Sequence, residues 1–218
     1  LAPLLLVIQT KTTFGLLANL QSLKAKATHK QTTTQLKHAP RSTVNEISMS
    51  NLNYSMASLD ARSPANVTVV GNGYVGLPLC VLIKDCGHHV TGFDVNTKSV
   101  ESHNRGKSTI DDVEDHQLQG IHFTSNPADI QDSDVYIICV PTPVTDDKMP
   151  DLRFVNAVKN MLQQHARPGS LIILESTVGV GDTRKVFKDM CSQGYYVANS
   201  PERIDPSRKF PTLQNIPK

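Results

Sequence analysis

The most constraining stretch of this chain is a β-branched run that gives way to three closely spaced glycines. Asn66–Val70 reads NVTVV, a short strand by composition and by the turn residues around it. Gly71, Asn72, Gly73, Tyr74, Val75 and Gly76 then spell G-x-G-x-x-G. Residues 77–86 follow with apolar side chains at helical spacing. Pro78 falls in the first turn, where a missing N–H costs little, and Gly87 is a natural stop. In this order each glycine has a use: Gly71 permits the tight turn, Gly73 lets the backbone approach a pyrophosphate, and Gly76 lets helix and strand pack closely. The helix N-terminus offers N–H groups and a positive dipole end to the phosphates. The glycine pattern alone is common, so the segment that follows decides its meaning.

That segment is a second strand, His89–Phe93 (HVTGF), tipped by Asp94. Asp94 stands eighteen residues beyond Gly76, about the spacing at which an acid binds an adenosine ribose. A carboxylate there accepts from the 2′- and 3′-hydroxyls and repels a 2′-phosphate, so the expected cofactor is NAD and not NADP. The alternative is an ordinary strand-end turn acid; the glycine fingerprint upstream favours ribose binding.

The rest of the chain keeps alternating. Helices are expected over residues 96–104, 153–166 and 183–191, with a brief helix or turn over 127–132. Strands are expected over 121–124, 134–140, Leu171–Leu174 and 194–198. In the third helix Phe154, Val155, Val158, Met161 and Leu162 form an apolar stripe that reads as core. Val186, Phe187 and Met190 point inward from the last helix. The fold class is therefore α/β, a doubly wound parallel sheet of Rossmann type. In such a sheet the ligand lies outside the carboxyl ends of the strands. Asp94, Thr142, Glu175, Ser176, Thr177 and Glu202 should gather there.

Residues 1–65 are a different kind of polypeptide. They hold seven basic residues and two acids, whereas residues 66–218 carry a net charge of −3 and the whole chain +2. LAPLLLVI has no charged segment before it and makes a poor signal peptide. The polar run from Gln31 to Gln35 breaks the amphipathic stripe of a transit peptide. Residues 1–65 read as a disordered or non-native extension, with Met49 and Met56 as candidate starts, and 66–218 as the NAD-binding domain. The small net charge implies no nucleic-acid partner, and no apolar run suffices for a membrane span. Cys80, Cys86, Cys139 and Cys191 show no metal-site spacing, so no metal is expected. They read as reduced thiols of a cytoplasmic protein, with Cys80 and Cys139 buried.

Five ordered motifs then carry a resemblance: GNGYVGLPLC, CVPTP at 139–143, KMPDL at 148–152, ESTVGVGDT at 175–183 and SPERIDPS at 200–207. Together they resemble the UDP-glucose/GDP-mannose dehydrogenase family, over that family's N-terminal NAD-binding domain only. SPERIDPS and the terminal NIPK are similar to the branch acting on UDP-N-acetylhexosamines; UDP-glucose dehydrogenases carry a Pro-Glu-Phe type segment instead. A 3-hydroxyacid-type dehydrogenase opens in the same way but does not account for CVPTP with SPER. The resemblance implies oxidation of a sugar 6-hydroxymethyl to a carboxylate, with two hydride transfers to NAD. Within the loop from Gly71 to Gly76 it implies that Gly73, Tyr74 and Val75 meet the pyrophosphate. It implies that Asp94 meets the ribose and Val140, Pro141 and Thr142 the adenosine side, with Lys98 and Ser176 also contacting the cofactor. Thr177 is implied near the nicotinamide, helping to hold a catalytic water, and Glu202 as an acid/base or water-positioning carboxylate.

The chain departs from that pattern in places. Gly179 stands where the family usually has Pro, and Asp182 where it has a small or hydroxyl residue, departures that imply either a looser loop or simple variation. The G-G-x-C segment with the nucleophilic cysteine, the catalytic Lys and Asn, the dimerising helix and the sugar-nucleotide domain have no counterpart among these 218 residues. The expectation is the cofactor part of a nucleotide-sugar dehydrogenase, incapable of turnover alone. Its UDP-sugar substrate would need the domain not represented here, and the family's homodimer rests on elements outside this domain. A non-catalytic NAD-binding module is the alternative.

Overall fold

The computed structural model of the chain describes residues 5–6 and 64–201. Seven strands form one parallel sheet: β1 (Leu5–Leu6), β2 (Asn66–Val70), β3 (His89–Phe93), β4 (His122–Thr124), β5 (Val135–Ile138), β6 (Leu171–Leu174) and β7 (Tyr196–Asn199). Among the described residues four helices accompany them: α1 (Gly76–Asp85), α2 (Thr97–Asn104), α3 (Arg153–His165) and α4 (Asp182–Ser192). Single 3-10 turns span Asp115–Leu118 and Pro127–Ile130. The strand order is β1-β7-β6-β5-β2-β3-β4. The chain winds outward from β2 through β3 to β4, then returns to the other side of β2 and winds outward again. The expected doubly wound sheet is thus present. In the amino-terminal extension, Leu5 and Leu6 pair with Val197 and Ala198 on the β7 edge. Ala65, expected to belong to the disordered extension, is instead buried in the core, its N–H donating to His88 Nδ1 at 3.2 Å, because it leads directly into β2; residues 1–4 and 7–63 lie outside the described residues.

Burial explains why these segments form these elements. All four residues of β5 and all four of β6 are buried, as a central parallel strand covered on both faces requires. Alternate side chains feed two cores. Val69, Leu77, Ile83, Ile137 and Ile173 meet on the α1 face, and Val70, Tyr136, Leu162, Leu174 and Phe187 on the α3–α4 face. Each such large apolar side chain contributes about 1.5–3 kcal/mol by leaving water. The Tyr136 hydroxyl is satisfied inside the second core by donating to the Ile130 carbonyl at 2.6 Å, and burial pushes its pKa up to about 12. The amino-terminal edge of the sheet is stapled by Asp134, whose carboxylate accepts from the Asn66 N–H at 3.0 Å and pairs with Arg167 at 3.5 Å.

Two close approaches decide what the first βαβ unit tolerates. A Cβ on Gly76 would lie 1.8 Å from the Gly71 carbonyl oxygen, so α1 can start where it does only without a side chain. A Cβ on Gly92, inside β3, would lie 2.4 Å from the Phe123 ring and 2.8 Å from Asn72 Oδ1. The same Phe123 ring meets the buried His103 at a centroid distance of 4.8 Å, and His103 Nε2 lies 2.8 Å from Thr109 Oγ1.

Two stability predictions follow from this corner. Gly92→Ala is expected to destabilise the domain by about 1–3 kcal/mol in urea unfolding, through forced movement of Phe123; an unchanged midpoint would refute the close packing. Burial lowers the pKa of His103, with the Asp94 charge opposing, and burial also lowers that of His88. Their folded pKa values lie below the unfolded one, so the unfolded chain takes up protons first. Stability should hold above about pH 7 and fall as the pH drops through about 6.5. Unfolding curves of His103→Gln should show a shallower fall over that window than the unsubstituted chain.

Candidate cofactor site

The site lies where the winding reverses, between the carboxyl ends of β2 and β5. Gly71 ends β2 with a φ of +93°, a conformation that favours glycine. A Cβ there would lie 2.9 Å from the Cys139 carbonyl oxygen at the end of β5, so glycine also lets the two strand ends approach. Beyond them opens a cleft of about 910 Å³, within the range of small-molecule sites.

Its glycine-loop side is built from backbone. Gly73 borders the cleft, and a Cβ placed on it would meet nothing within 4 Å: the missing side chain is space for a ligand. α1 begins immediately behind, with Val75 at its N-cap, no side chain capping it and no acid in its first turn. The Leu77 N–H is taken by the Gly73 carbonyl at 3.0 Å and Pro78 has none, so what α1 offers an anion is chiefly its positive dipole end. Tyr74 and Val75 line the same wall, Tyr74 with 55% of its surface exposed.

Asp94 closes one end. Its two carboxylate oxygens accept backbone N–H groups on either side, Oδ2 from Asn72 at 2.7 Å and Oδ1 from Asn96 at 2.9 Å. The acid is thus held in place by the glycine loop itself, while the second lone pairs of each oxygen stay available to ribose hydroxyls. At the other end the loops after β5 and β6 meet. Val140, Pro141, Thr142, Glu175, Ser176 and Thr177 all line the cleft there, Glu175 being buried.

The structure thus brings together Gly71, Gly73, Tyr74, Val75, Asp94, Val140, Pro141, Thr142, Ser176 and Thr177. Gly76 does not line the cleft; it packs against the Gly71 carbonyl and Val69. Lys98, on α2, is exposed and is not among the residues that line the cleft. Glu202 lies outside the described residues. Two expectations about packing are corrected. Phe154 and Met161 are not simply core: Phe154 is 45% exposed, and both wall the cleft with Ala157 and Val158. An apolar stripe looks the same whether it faces a core or a cleft for an aromatic base, so periodicity could not separate the two. Cys139, expected to be buried, is half-buried and lines the cleft, because β5 ends before it.

Of the two readings of the departures at Gly179 and Asp182, a looser loop is not the one found: the loop is tied. The Gly179 N–H donates to Asp182 Oδ2 at 3.1 Å, and a Cβ at residue 179 would fall 2.6 Å from that same oxygen. The two departures from the family pattern therefore fit one another: the acid at 182 fills the space that a side chain at 179 would need. Burial raises the thiol pKa values of Cys80, Cys86 and Cys191, which keeps these groups protonated and poorly nucleophilic. Among the described residues no cluster of His, Cys, Asp or Glu could hold a metal, and no helix is long and apolar enough to cross a membrane.

A glycine loop at a helix N-terminus, an acid-tipped second strand and a cleft at the switch point of a parallel sheet define a dinucleotide-binding domain. Residues 65–218 match the NAD binding domain of the UDP-glucose/GDP-mannose dehydrogenase family, and the chain belongs to that family. It is 32% identical over 161 residues to the UDP-N-acetyl-D-mannosamine dehydrogenase of Pyrococcus horikoshii, covering 67% of this chain and 38% of that protein. It is 33% identical over 163 residues to the UDP-N-acetyl-D-glucosamine 6-dehydrogenase of Salmonella typhi, covering 70% and 38%. The solved structure of the UDP-D-ManNAc dehydrogenase from P. horikoshii superposes with a TM-score of 0.60 at 30% identity, covering 66% of this chain and 38% of that one. The chain spans about 38% of the length of these curated relatives. The cofactor of the domain is NAD.

Gly73→Ala separates fold from site. Its methyl group enters open space, so unfolding should shift by no more than about 0.5 kcal/mol. NAD affinity measured by calorimetry should fall at least about tenfold, because the methyl occupies the pyrophosphate's approach. Unaltered affinity would place the pyrophosphate elsewhere.

Proposed function

We propose that this chain is the cofactor-binding part of an NAD-dependent nucleotide-sugar 6-dehydrogenase of the UDP-N-acetylhexosamine branch. The observation that carries the reading is the coupling of Asp94 to the Asn72 amide: the ribose acid and the phosphate loop are parts of one hydrogen-bonded unit. The relatives named above, which act on N-acetylated hexosamine nucleotides, support the choice of branch, as does SPERIDPS.

The residues divide the work along the cleft. Gly73 lets the backbone reach the pyrophosphate, and the uncapped start of α1 neutralises part of its charge. Asp94 receives the adenosine ribose hydroxyls and excludes a 2′-phosphate by repulsion. Phe154, Met161 and Val158 offer the adenine ring an apolar wall. Thr177, at the opposite end, faces the nicotinamide and orders a water, and Glu202 moves that water's proton. NAD supplies the hydride acceptor.

A nucleophilic thiol is the part this stretch does not provide. The 218 residues contain no G-G-x-C segment, and three of the four cysteines are held protonated by burial. That observation favours, for these residues by themselves, a module that binds NAD in the cytoplasm without turning over the sugar. In the whole protein the UDP-sugar would bind a separate domain, within a homodimer.

Calorimetry with NAD and NADP on the 218-residue chain and on Asp94→Ala is the deciding experiment. NAD should bind more tightly than NADP, and Asp94→Ala should weaken NAD about ten- to a hundredfold, the scale of hydrogen bonds to a charged group. Equal binding of both dinucleotides, insensitive to Asp94, would overturn the reading. NADH formation by this chain with UDP-N-acetylglucosamine would overturn the assignment of the module as inactive.

A further inference from the structure

Two hydroxyl groups at the cleft are already committed to the protein. The Ser176 hydroxyl donates to the Val140 carbonyl at 2.6 Å, and the Thr142 hydroxyl donates to the Thr177 carbonyl at 2.6 Å. A carbonyl oxygen can only accept, so each hydroxyl's single proton is used in this bond. The two bonds run in opposite directions between the same two loops: residue 176 reaches back to 140, and residue 142 reaches across to 177.

Their placement has a physical reason. β5 and β6 are paired in register up to Ile138 and Leu174, and the Glu175 N–H still donates to the Ile138 carbonyl at 2.9 Å. Past that point Pro141 and Pro143 bracket Thr142 and carry no N–H, so a backbone ladder cannot continue there. The side-chain hydroxyls hold the loops together where peptide groups cannot.

We propose that Thr142 and Ser176 are positioning residues, forming a reciprocal hydroxyl–carbonyl clasp that sets the nicotinamide end of the cleft. The strand order places Thr142 two strands away from Asp94, and we therefore move it from the adenosine side implied by the family resemblance. The proposal rests on the NAD reading above. With its proton used, each hydroxyl oxygen can only accept from a ligand, for instance from a ribose hydroxyl or an amide N–H, and has nothing to donate to a phosphate. The adenosine end does not depend on the clasp. Asp94 is on β3, across β2 from β5, and it is tied to the glycine loop and not to the loops after β5 and β6. Opening the clasp should therefore loosen one end of the dinucleotide and leave the other anchored.

The test compares NAD with ADP-ribose, which lacks the nicotinamide, by calorimetry on the 218-residue chain and three variants. Thr142→Val removes the hydroxyl at nearly constant shape, Thr142→Ser keeps it, and Ser176→Ala opens the other half. Thr142→Val and Ser176→Ala should each weaken NAD about three- to tenfold, the worth of one hydrogen bond. ADP-ribose should change by less than about twofold. Thr142→Ser should bind NAD as the unsubstituted chain does. Equal losses for both ligands would mean general damage and overturn the proposal, as would unchanged NAD binding in Thr142→Val. Because Ser176 is buried and its variant can fail to fold, the Thr142 pair at the less buried position decides by itself. An unsubstituted chain that binds neither ligand would sink the NAD reading; one that binds both, with variants that do not separate them, would sink only the clasp.

Discussion

The close approach of three backbone segments at the end of β2 is the constraint on which the rest depends. α1 starts against the Gly71 carbonyl, with no room for a side chain at Gly76, and Gly71 turns under the Cys139 carbonyl of the neighbouring strand. Only glycine lets the helix, the turn and β5 come this near. Because they do, α1 starts beside the gap between β2 and β5 and brings its positive dipole end there. The winding reverses at that gap, so no crossover connection covers it.

Around that gap polar groups are spent in two ways. Some stabilise the frame: Asp94 accepts from both sides of its own corner, and the Thr142 and Ser176 hydroxyls bind loop to loop. What is left for a ligand is above all the open space over Gly73 and the positive dipole end of α1. The cleft is held open by groups whose hydrogen bonds are largely internal, so a bound dinucleotide would meet a surface that needs little reorganisation. The Gly179–Asp182 bond extends this pattern to the loop before α4, where a glycine and an acid replace a more rigid residue and still fix its path.

Much of this was legible in the residues. The β2–glycine–α1 unit, the span of β3 with its terminal acid and the boundaries of β6 follow from local chemistry: β-branched runs, turn glycines and apolar spacing. The cleft's polar residues were legible for a topological reason, since they end parallel strands. Phe154 and Met161 were not, because an apolar residue at helical spacing carries no mark of whether protein or ligand covers it. Nor was it legible that Gly76 packs behind the cleft wall, because the direction a residue faces matters more than its place in a motif.

The sequence by itself determined that a strand, a glycine loop and a helix would form a phosphate-accepting corner, with an acid a fixed distance on. Those features depend on conformational freedom and spacing, which are local. The tertiary structure decided which hydroxyl protons were used by carbonyls 35 or 36 residues away, which half of an apolar stripe faced the cleft, and that Asp182 would fill the space beside Gly179. Those outcomes depend on which atoms come within hydrogen-bonding or van der Waals reach once the sheet has closed, and no single segment specifies that alone.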